Sequence, residues 1–333
     1  MDATPPPLRI GILGAARIAP MALIRPARHV ADAQVYGIAA REPQRAGHFQ
    51  VKHGLDKAYP SYQALLDDSA IDAIYNPLPN SLHCEWTIRA LEAGKHVLCE
   101  KPLAANAVEA ERMREAAERT GHRLVEAFHY RYHPLFARMK EIIDSGEIGE
   151  IRHIETHFCI PLPFFSDIRY RFDLAGGATM DAGCYAIHLL RHLAGAEPEV
   201  LHAQAIMQSP EVDRRVEADL RFPDGRSGRV VCSLFSRTLL RADARVLGSA
   251  GEMRVLNPIA PHLYHRLRVR TPQGQRSEKV NGEATYTHQL RAFVRHVRGE
   301  AAVPTGPDDA VANMRVIDAI YEAAGLSKRG ALS

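Results

Sequence analysis

Three side chains of this sequence have the chemistry needed to exchange a proton and a hydride with an alcohol. Lys101 offers an ammonium group, Asp181 a carboxylate and Tyr185 a phenol. An ammonium stabilises the negative charge that develops on an alcohol oxygen, and a phenolate accepts the proton that leaves it. We therefore interpret Lys101, Tyr185 and Asp181 as a candidate catalytic group.

Lys101 stands in an E-K-P triplet directly after the predicted strand 96–99. Ligands collect at the carboxyl ends of the strands in open α/β sheets, so this is a favourable place for a reacting group. Glu100 could fix the ammonium or accept a hydrogen bond from a cofactor. A surface Lys–Glu ion pair is the alternative interpretation of the same residues.

Tyr185 needs a cation nearby to act as a base. A free phenol has a pKa of about 10, so a drop of about 2 units, or roughly 2.7 kcal/mol, is required near neutral pH. A cation about 4 Å away supplies on the order of 4 kcal/mol at an effective dielectric constant of about 20. The ammonium of Lys101 would therefore be sufficient.

Asp181, Tyr185 and His188 predict one polar stripe on a helix over residues 179–193, because positions four and seven apart share a helix face. The two glycines before this helix would let the backbone approach a ligand closely. A buried, hydrogen-bonded trio that fixes domain packing is the alternative interpretation.

The segment G-A-A-R-I-A after the apolar run 8–13 is typical of a turn that holds a dinucleotide pyrophosphate at a helix N-terminus. Gly14 supplies the tight turn, and Ala19 is the small residue that faces the sheet. Ala16 occupies the middle position, where such turns usually have glycine. A plain strand-to-helix turn is therefore an equal alternative on these residues alone.

The end of the second predicted strand favours NADP over NAD. NAD-binding chains usually have an acidic residue there for the ribose hydroxyls. This chain instead has Ala40 and Arg41, with Arg45 one helical turn further on. An arginine can bind a 2′-phosphate through two hydrogen bonds, and Arg17 could assist. A solvated surface role for Arg41 is the alternative.

Short apolar runs alternate with helical patterns in the first 130 residues, which predicts βαβ units and a parallel sheet. The predicted strands are 8–13, 33–40, 71–75, 96–99 and 123–128, and the predicted helices are 16–29, 43–53, 61–68, 82–93 and 106–119. We therefore predict an α/β Rossmann domain, a doubly wound parallel sheet, over residues 1–130.

The later residues predict an α+β domain, 131–333, with an open and mostly antiparallel sheet, because the strands are joined by short links. Its predicted strands are 151–160, 200–207, 215–222, 228–235, 242–247, 252–256 and 263–270, and its other helices are 134–145, 285–297 and 308–324. We expect the last helix, 308–324, to pack back on the first domain.

Composition excludes several classes of protein. The net charge of +3 is too small to indicate a nucleic acid or a membrane as a partner, and no apolar run is long enough to cross a bilayer. Five widely spaced cysteines match no metal-binding pattern and indicate reduced thiols. We expect a cytoplasmic protein with no metal site.

The motifs in their order resemble the Gfo/Idh/MocA family, that of glucose-fructose oxidoreductase and inositol dehydrogenase. They are the Gly turn, P-N-x-x-H, E-K-P and G-G-A-x-x-D-x-G-x-Y. The resemblance implies a nicotinamide cofactor, a sugar or cyclic polyol substrate, and a homodimer or homotetramer formed through the C-terminal sheet. It also places the family's lysine, carboxylate and acid/base on Lys101, Asp181 and Tyr185.

The resemblance also implies that Asn80 and His83 line the nicotinamide pocket, and a turn with alanine at its middle resembles NADP-using members. The sequence around Arg169 resembles the aldose dehydrogenase and dihydrodiol dehydrogenase branch. The predicted cofactor residues are Gly14, Ala16, Arg17, Ile18, Ala40, Arg41, Arg45, Pro77, Leu78, Asn80, His83, Glu100 and Lys101. The candidate substrate contacts are His188, Arg131, Arg169 and Tyr130.

We therefore expect an NADP(H)-dependent oxidoreductase that oxidises carbon 1 of an aldose to the lactone, or acts on a related cyclic polyol. One alternative is an aldose–aldose oxidoreductase that keeps and internally recycles its NADP(H). The other is a regulatory protein that senses nicotinamide without catalysis, which the presence of all three catalytic side chains disfavours.

Overall fold

The computed structural model describes residues 5–330, which form two compact units that interleave along the chain. Unit 1 contains the described residues up to Ala104, together with Val108–Arg131 and Tyr286–Ala310. Unit 2 contains Ala105–Ala107, Tyr132–Thr285 and the described residues from Val311 onwards. The sequence predicted a single boundary, between 1–130 and 131–333, whereas in the structure each unit contains segments from both sides of that boundary.

Within residues 5–330 the strands form one sheet of six strands and one of eight. In chain order the strands are β1 (Leu8–Leu13), β2 (Ala33–Ala39), β3 (Lys57–Tyr59), β4 (Ala73–Asn76), β5 (His96–Cys99), β6 (Leu124–Glu126), β7 (Ile151–Cys159), β8 (Glu199–Ser209), β9 (Val212–Arg221), β10 (Ser227–Ser233), β11 (Arg241–Gly248), β12 (Glu252–Leu256), β13 (Arg266–Thr271) and β14 (Gly274–Glu278).

The α-helices in chain order are α1 (Arg25–Ala27), α2 (Pro43–His53), α3 (Tyr62–Leu66), α4 (His83–Glu92), α5 (Ala107–Thr120), α6 (Pro134–Asp144), α7 (Cys184–Ala194), α8 (Thr285–Val297) and α9 (Pro307–Ala323). In this described part of the chain, none of the helices is both long and apolar enough to cross a membrane.

The sheet of unit 1 is parallel throughout and has the order β3-β2-β1-β4-β5-β6. This is the doubly wound order, in which the chain changes direction between β1 and β4 and ligands bind at the carboxyl ends of the strands. The predicted Rossmann fold is confirmed. The sequence pattern missed β3, which is only three residues long.

The helix predicted over residues 16–29 was too long. A π-type turn over Pro20–Ile24 leads into α1, and the residues between Gly14 and Pro20 form a turn. Proline has no N–H and fits at the first position of a helix, so Pro20 marks the helix start rather than its interior.

Helix α8 follows the second sheet in the chain, yet its apolar face packs in unit 1. Tyr286, Leu290, Phe293 and Val294 are buried in the same cluster as the side chains of β1. Their spacing of three and four residues places them on one face of the helix. The apolar pattern of α8 therefore belongs to the core of the first sheet.

The sheet of unit 2 has the order β14-β13-β12-β11-β7-β10-β9-β8. Its pairs are antiparallel except for β7 and β10, which are parallel, so the predicted open and mostly antiparallel sheet is confirmed. The sequence pattern missed β14, which has no alternation of apolar and polar residues. Helix α7 packs on β7 and β10. The homo-oligomer expected through this sheet stays a prediction.

The helix predicted over 179–193 begins instead with a π-type turn, Thr179–Gly183, and continues as α7. A π turn closes its hydrogen bonds over five residues rather than four, so the α-helical spacing rule does not hold between Asp181 and Tyr185. Such turns occur frequently at functional sites. Gly183 fits here because a Cβ would lie 2.9 Å from the sulfur of Cys232.

We predict that Phe293→Ala lowers the free energy of unfolding of unit 1 by about 3–5 kcal/mol, because it empties a fully buried position. Urea unfolding followed by the fluorescence of Trp86, the single tryptophan of the chain, measures this change. Val51→Ala is the control: Val51 is 77% exposed on α2, and its loss should change the free energy by no more than about 0.5 kcal/mol. Equal midpoints for the two variants would show that α8 does not stabilise unit 1.

Candidate active-site residues

The turn after β1 is built around Gly14, whose φ of +86° is in the region that favours glycine. Its amide donates to the carbonyl oxygen of Ala39 over 2.7 Å, which fixes the turn against the end of β2. A Cβ on Gly14 would lie 3.0 Å from Cδ2 of Leu78. The turn and the loop after β4 are therefore in close contact.

The backbone of this turn can accept an anionic group. Among the described residues, no acceptor is found for the amides of Arg17 and Ile18, whereas the amide of Ala16 donates to the oxygen of Gly14 over 2.9 Å. The helical segment starts immediately afterwards at Pro20. Unpaired amides at such a position bind a pyrophosphate well, so the turn fits a dinucleotide despite the methyl group of Ala16.

Arg41 lies at the end of β2 with its side chain 83% exposed, and its contact with Glu42 is a loose ion pair of 3.6 Å. Arg45 is also exposed, one turn further along, and Ala40 is buried. Exposed ion pairs of this kind contribute little free energy, so both guanidinium groups are available for a phosphate.

Tyr62 is a residue of this region that the sequence analysis did not identify. Its hydroxyl makes a hydrogen bond to the backbone of Arg41, and burial raises its pKa. Its ring packs edge-on against that of Trp86 with 4.8 Å between centroids. The sequence placed Tyr62 in the predicted helix 61–68, but no local pattern indicates a hydrogen bond to Arg41, which lies in a different element. The fluorescence of Trp86 should therefore respond to a dinucleotide bound at the turn.

His83 joins the two loops that carry the predicted site of unit 1. It is fully buried at the start of α4. Its Nδ1 lies 2.9 Å from the carbonyl oxygen of Pro102, and its Nε2 lies 2.8 Å from that of Leu78. The structure gives His83 the role of holding the loops after β4 and β5 together, and the predicted contact with a cofactor stays a prediction.

Burial lowers the pKa of His83 to about 4, although both carbonyl oxygens act in the opposite direction. The ring is therefore neutral near pH 7 and donates its one N–H to one of these oxygens. Asn76 completes the support, because its side chain accepts from the amide of Leu78 over 3.3 Å and donates to Thr87 over 3.1 Å.

Glu100 and Lys101 follow β5 directly, as predicted, and Lys101 is half-buried. The hydroxyl of Tyr75 donates to Glu100 over 2.6 Å, and the amide of Lys101 lies 3.4 Å from the other carboxylate oxygen. The peptide between Lys101 and Pro102 is cis. Glu100 therefore has a structural partner at the end of β4, in addition to any role with a ligand.

Tyr130 and Arg131 lie in a short 3₁₀ turn, His129–Tyr132, after β6. Tyr130 is buried and packs edge-on against Phe128, with 6.3 Å between ring centroids, while Arg131 is half-buried. Their predicted contact with substrate stays a prediction. Pro77 and Leu78 are buried and Asn80 is half-buried in the loop after β4.

In unit 2 the predicted glycine pair holds a neighbouring loop. The amide of Gly177 donates to the oxygen of Arg169 and that of Gly176 to the oxygen of Arg171, each over 2.8 Å. A Cβ on Gly176 would overlap the carbonyl oxygens of both arginines. The glycines therefore bring backbone close to backbone, rather than to a ligand as the sequence analysis proposed.

Asp181 lies in the π turn and is paired with Arg169, whose Nε is 3.1 Å from the carboxylate. Asp181 raises the pKa of Arg169, which also contacts Asp167. The structure thus brings together one predicted catalytic residue and one predicted substrate contact. An arginine beside the carboxylate fixes its orientation.

Tyr185 is 6% exposed in the first turn of α7, and its ring packs edge-on against Phe158 of β7 with 5.3 Å between centroids. This contact fixes the plane of the phenol. His188, one turn further on, has no exposed surface, and its ring lies 4.3 Å from that of His192. Its predicted contact with substrate stays a prediction.

Two family models match this chain. Residues 8–128 match the model of an oxidoreductase family with an NAD-binding Rossmann fold, named GFO_IDH_MocA. Residues 136–254 match the model of the GFO/IDH/MocA C-terminal domain. The two matches cover the sheet of unit 1 and most of the sheet of unit 2.

Three individual relatives cover nearly the whole chain. D-xylose 1-dehydrogenase (NADP(+)) 2 of Haloferax volcanii is 36% identical over 95% of this chain and 97% of its own. A dTDP-3,4-didehydro-2,6-dideoxy-alpha-D-glucose 3-reductase of Streptomyces violaceoruber is 34% identical over 96% of each chain. A 3-ketoreductase from Actinomadura kijaniata, solved with NADP and TDP-benzene, has a TM-score of 0.88 and 29% identity over 95% of this chain and 98% of its own.

The lowered pKa of His83 predicts a pH dependence of stability. Its pKa is about 4 when folded and about 6.5 when unfolded, so its contribution is complete above pH 6.5 and is lost as the pH falls towards 4. The loss amounts to about 3 kcal/mol. We expect His83→Gln to lack this part of the acid destabilisation in urea unfolding measured at a series of pH values.

His96 provides an internal control, because burial also lowers its pKa to about 4 and it is present in both proteins. The wild type and His83→Gln should therefore both lose stability in acid, with the steeper loss in the wild type. Parallel curves for the two proteins would contradict a neutral, buried His83.

Proposed function

Because the chain belongs to the GFO/IDH/MocA oxidoreductase family, we propose that it transfers hydride between NADP(H) and carbon 1 of an aldose, forming the lactone in the oxidative direction. One observation carries the proposal. Lys101 lies in the loop after β5, and His83 joins this loop to the loop after β4. The loop after β4 in turn contacts the dinucleotide turn through Leu78. The resemblance to a D-xylose 1-dehydrogenase supports an aldopentose as substrate.

The turn after β1 would hold the cofactor. The amides of Arg17 and Ile18 would bind the pyrophosphate, and Arg41 with Arg45 would bind the 2′-phosphate that distinguishes NADP from NAD. The exposed side chain of Arg41 and its loose contact with Glu42 support this assignment. Tyr62, bonded to the backbone of Arg41, would fix the end of β2 against which the phosphate lies.

When bound, NADP⁺ supplies the hydride acceptor. Tyr185 accepts the proton of the C1 hydroxyl as the C1–H bond breaks, and the electron pair left on oxygen forms the lactone carbonyl. Lys101 donates a hydrogen bond to the substrate and stabilises the negative charge that develops on it. Asp181, oriented by Arg169, accepts a hydrogen bond from a sugar hydroxyl and positions the ring.

A substrate panel tests this proposal directly. Aldoses, inositols and trans-dihydrodiols are offered with NADP⁺ and with NAD⁺, and reduction of the cofactor is followed by its absorbance. We expect the largest kcat/KM for an aldopentose with NADP⁺. Purified protein that already absorbs in the reduced-nicotinamide band would favour the aldose–aldose cycle, and tight binding without turnover would favour a sensor.

We predict that Lys101→Met and Tyr185→Phe each lower kcat by at least about 100-fold, the usual loss when a positioned acid or base is removed. NADPH should still bind to both variants with a measurable Kd, because the turn, Arg41 and Tyr62 are unaltered. Energy transfer from Trp86 to the reduced nicotinamide measures that Kd.

Lys95→Met and Tyr59→Phe are the matched controls. Lys95 precedes the first residue of β5, donates to the oxygens of Asp68 and Ile71, and lies at the amino end of the strand that Lys101 follows. Tyr59 hydrogen-bonds to Asp68. Both controls should keep kcat, and a loss equal to that of the catalytic variants would contradict the assigned roles.

The cofactor preference depends on Arg41. We predict that Arg41→Ala raises the Kd of NADPH by about 10- to 100-fold, since a hydrogen bond to a charged group contributes about 1.5–3 kcal/mol, and leaves the Kd of NADH unchanged. Arg123→Ala, an exposed arginine at the amino end of β6, is the control and should bind both cofactors normally. Equal losses for NADPH and NADH would remove the 2′-phosphate assignment.

A further inference from the structure

A fully buried ion pair lies beneath the loop and π turn of unit 2. Arg329, near the end of the described chain, and Asp213 of β9 have no exposed surface, and Nη2 of Arg329 lies 2.8 Å from the carboxylate. Burying two charges carries a large desolvation cost, and apolar residues in their place are often as stable or more so. The pair therefore calls for an explanation other than stability.

The Asp213 carboxylate binds the first residue of the π turn. It accepts from the amide of Thr179 over 2.7 Å and from the hydroxyl of Thr179 over 2.8 Å. The hydroxyl of Tyr321 donates to it over 3.1 Å. One carboxylate thus fixes the point at which the segment carrying Asp181 begins.

The guanidinium of Arg329 binds the loop that precedes this turn. Its Nε donates to the oxygen of Gly176 over 2.7 Å, and its Nη1 donates to Ser327 over 2.9 Å. The group lies over the ring of Phe172 and over that of Tyr321, at 5.0 and 4.2 Å from their centroids. Its planar shape suits this double contact, which a lysine could not reproduce.

Gly177 lies between Gly176, which binds Arg329, and Thr179, which binds Asp213, and there is no room for a side chain at this position. A Cβ there would overlap Asp213 and lie 3.0 Å from both Arg329 Nη2 and the Tyr321 hydroxyl. Its φ of +137° also disfavours any other residue. The amide of Gly177 donates to the oxygen of Arg169, so the network extends to the partner of Asp181.

We propose that Arg329 and Asp213 are positioning residues of the active site, and that the C-terminal segment of this chain is part of the active-site framework. They hold residues 176–179 in one conformation and so orient Asp181 and Tyr185, which follow at once in the chain. This inference rests on the proposed function of those two residues. It adds a role for a segment some 150 residues away in sequence from the loop it fixes.

The test uses Arg329→Ala and the milder Arg329→Lys in the full-length protein. We expect kcat to fall by about 100-fold in Arg329→Ala and by less in Arg329→Lys, because a displacement of the reacting groups by about 1 Å costs about this much. The Kd of NADPH, measured from Trp86 fluorescence, should be unchanged. Added guanidinium ion at millimolar concentration, too dilute to denature, should restore part of the kcat of Arg329→Ala, whereas equal urea should not.

Arg191→Ala is the matched control. Arg191 is also buried, in the last turn of α7, where it pairs with Glu197 and Asn313. Its loss should lower the melting temperature without lowering kcat. If Arg329→Ala and Arg191→Ala lose kcat only in proportion to their stability, or if guanidinium restores nothing, the positioning role is refuted.

Amide hydrogen exchange makes the inference testable independently of turnover. Peptides that cover residues 176–181 should exchange faster in Arg329→Ala and be protected again by guanidinium, while peptides from the end of α7 should respond only to Arg191→Ala. A wild type that turns over no sugar would refute the proposed function alone. Unchanged exchange of residues 176–181 in Arg329→Ala would refute this inference alone.

Discussion

The arrangement of the loops after β4 and β5 in unit 1 depends on one buried imidazole. His83 has no contact with solvent, and its two ring nitrogens face the backbone oxygens of Leu78 and Pro102. The neutral ring has one N–H, which it donates to one of these oxygens, and it packs against both loops from a fully buried position. Because Leu78 also touches the position of Gly14, the dinucleotide turn and the loop of Lys101 have a fixed relation to each other.

In unit 2 the buried polar groups that hold backbone loops are charged. The Asp213 carboxylate and the Arg329 guanidinium, both fully buried, bind the backbone on either side of Gly177. Each unit thus uses polar groups withdrawn from water to fix a loop that contains or precedes a candidate catalytic side chain. The candidate catalytic side chains, Lys101 and Tyr185, lie at the ends of regular elements, where the backbone is already constrained.

The sequence predicts those parts of the site that depend on local pattern. Short apolar runs separated by helices indicate the parallel sheet, and the sheet places Gly14 and Lys101 at the carboxyl ends of its strands. The rest depends on contacts distant in the chain: Asp213 is 34 residues from Thr179 and 116 from Arg329. The π turn was also unpredictable, because a helical pattern does not reveal an added residue. Tyr62 was missed because its contact is with the backbone of Arg41, which is distant from it in the chain.

The central claim is that this chain moves a hydride from carbon 1 of an aldose to NADP⁺, and isotope transfer tests it most directly. D-xylose carrying deuterium at carbon 1 is incubated with the protein and NADP⁺, and the reduced cofactor and the sugar product are analysed by mass spectrometry. The account predicts that the deuterium is found in the reduced cofactor and is absent from the lactone. Reduced cofactor without deuterium, or no reduction with any C1-labelled aldose, would contradict it.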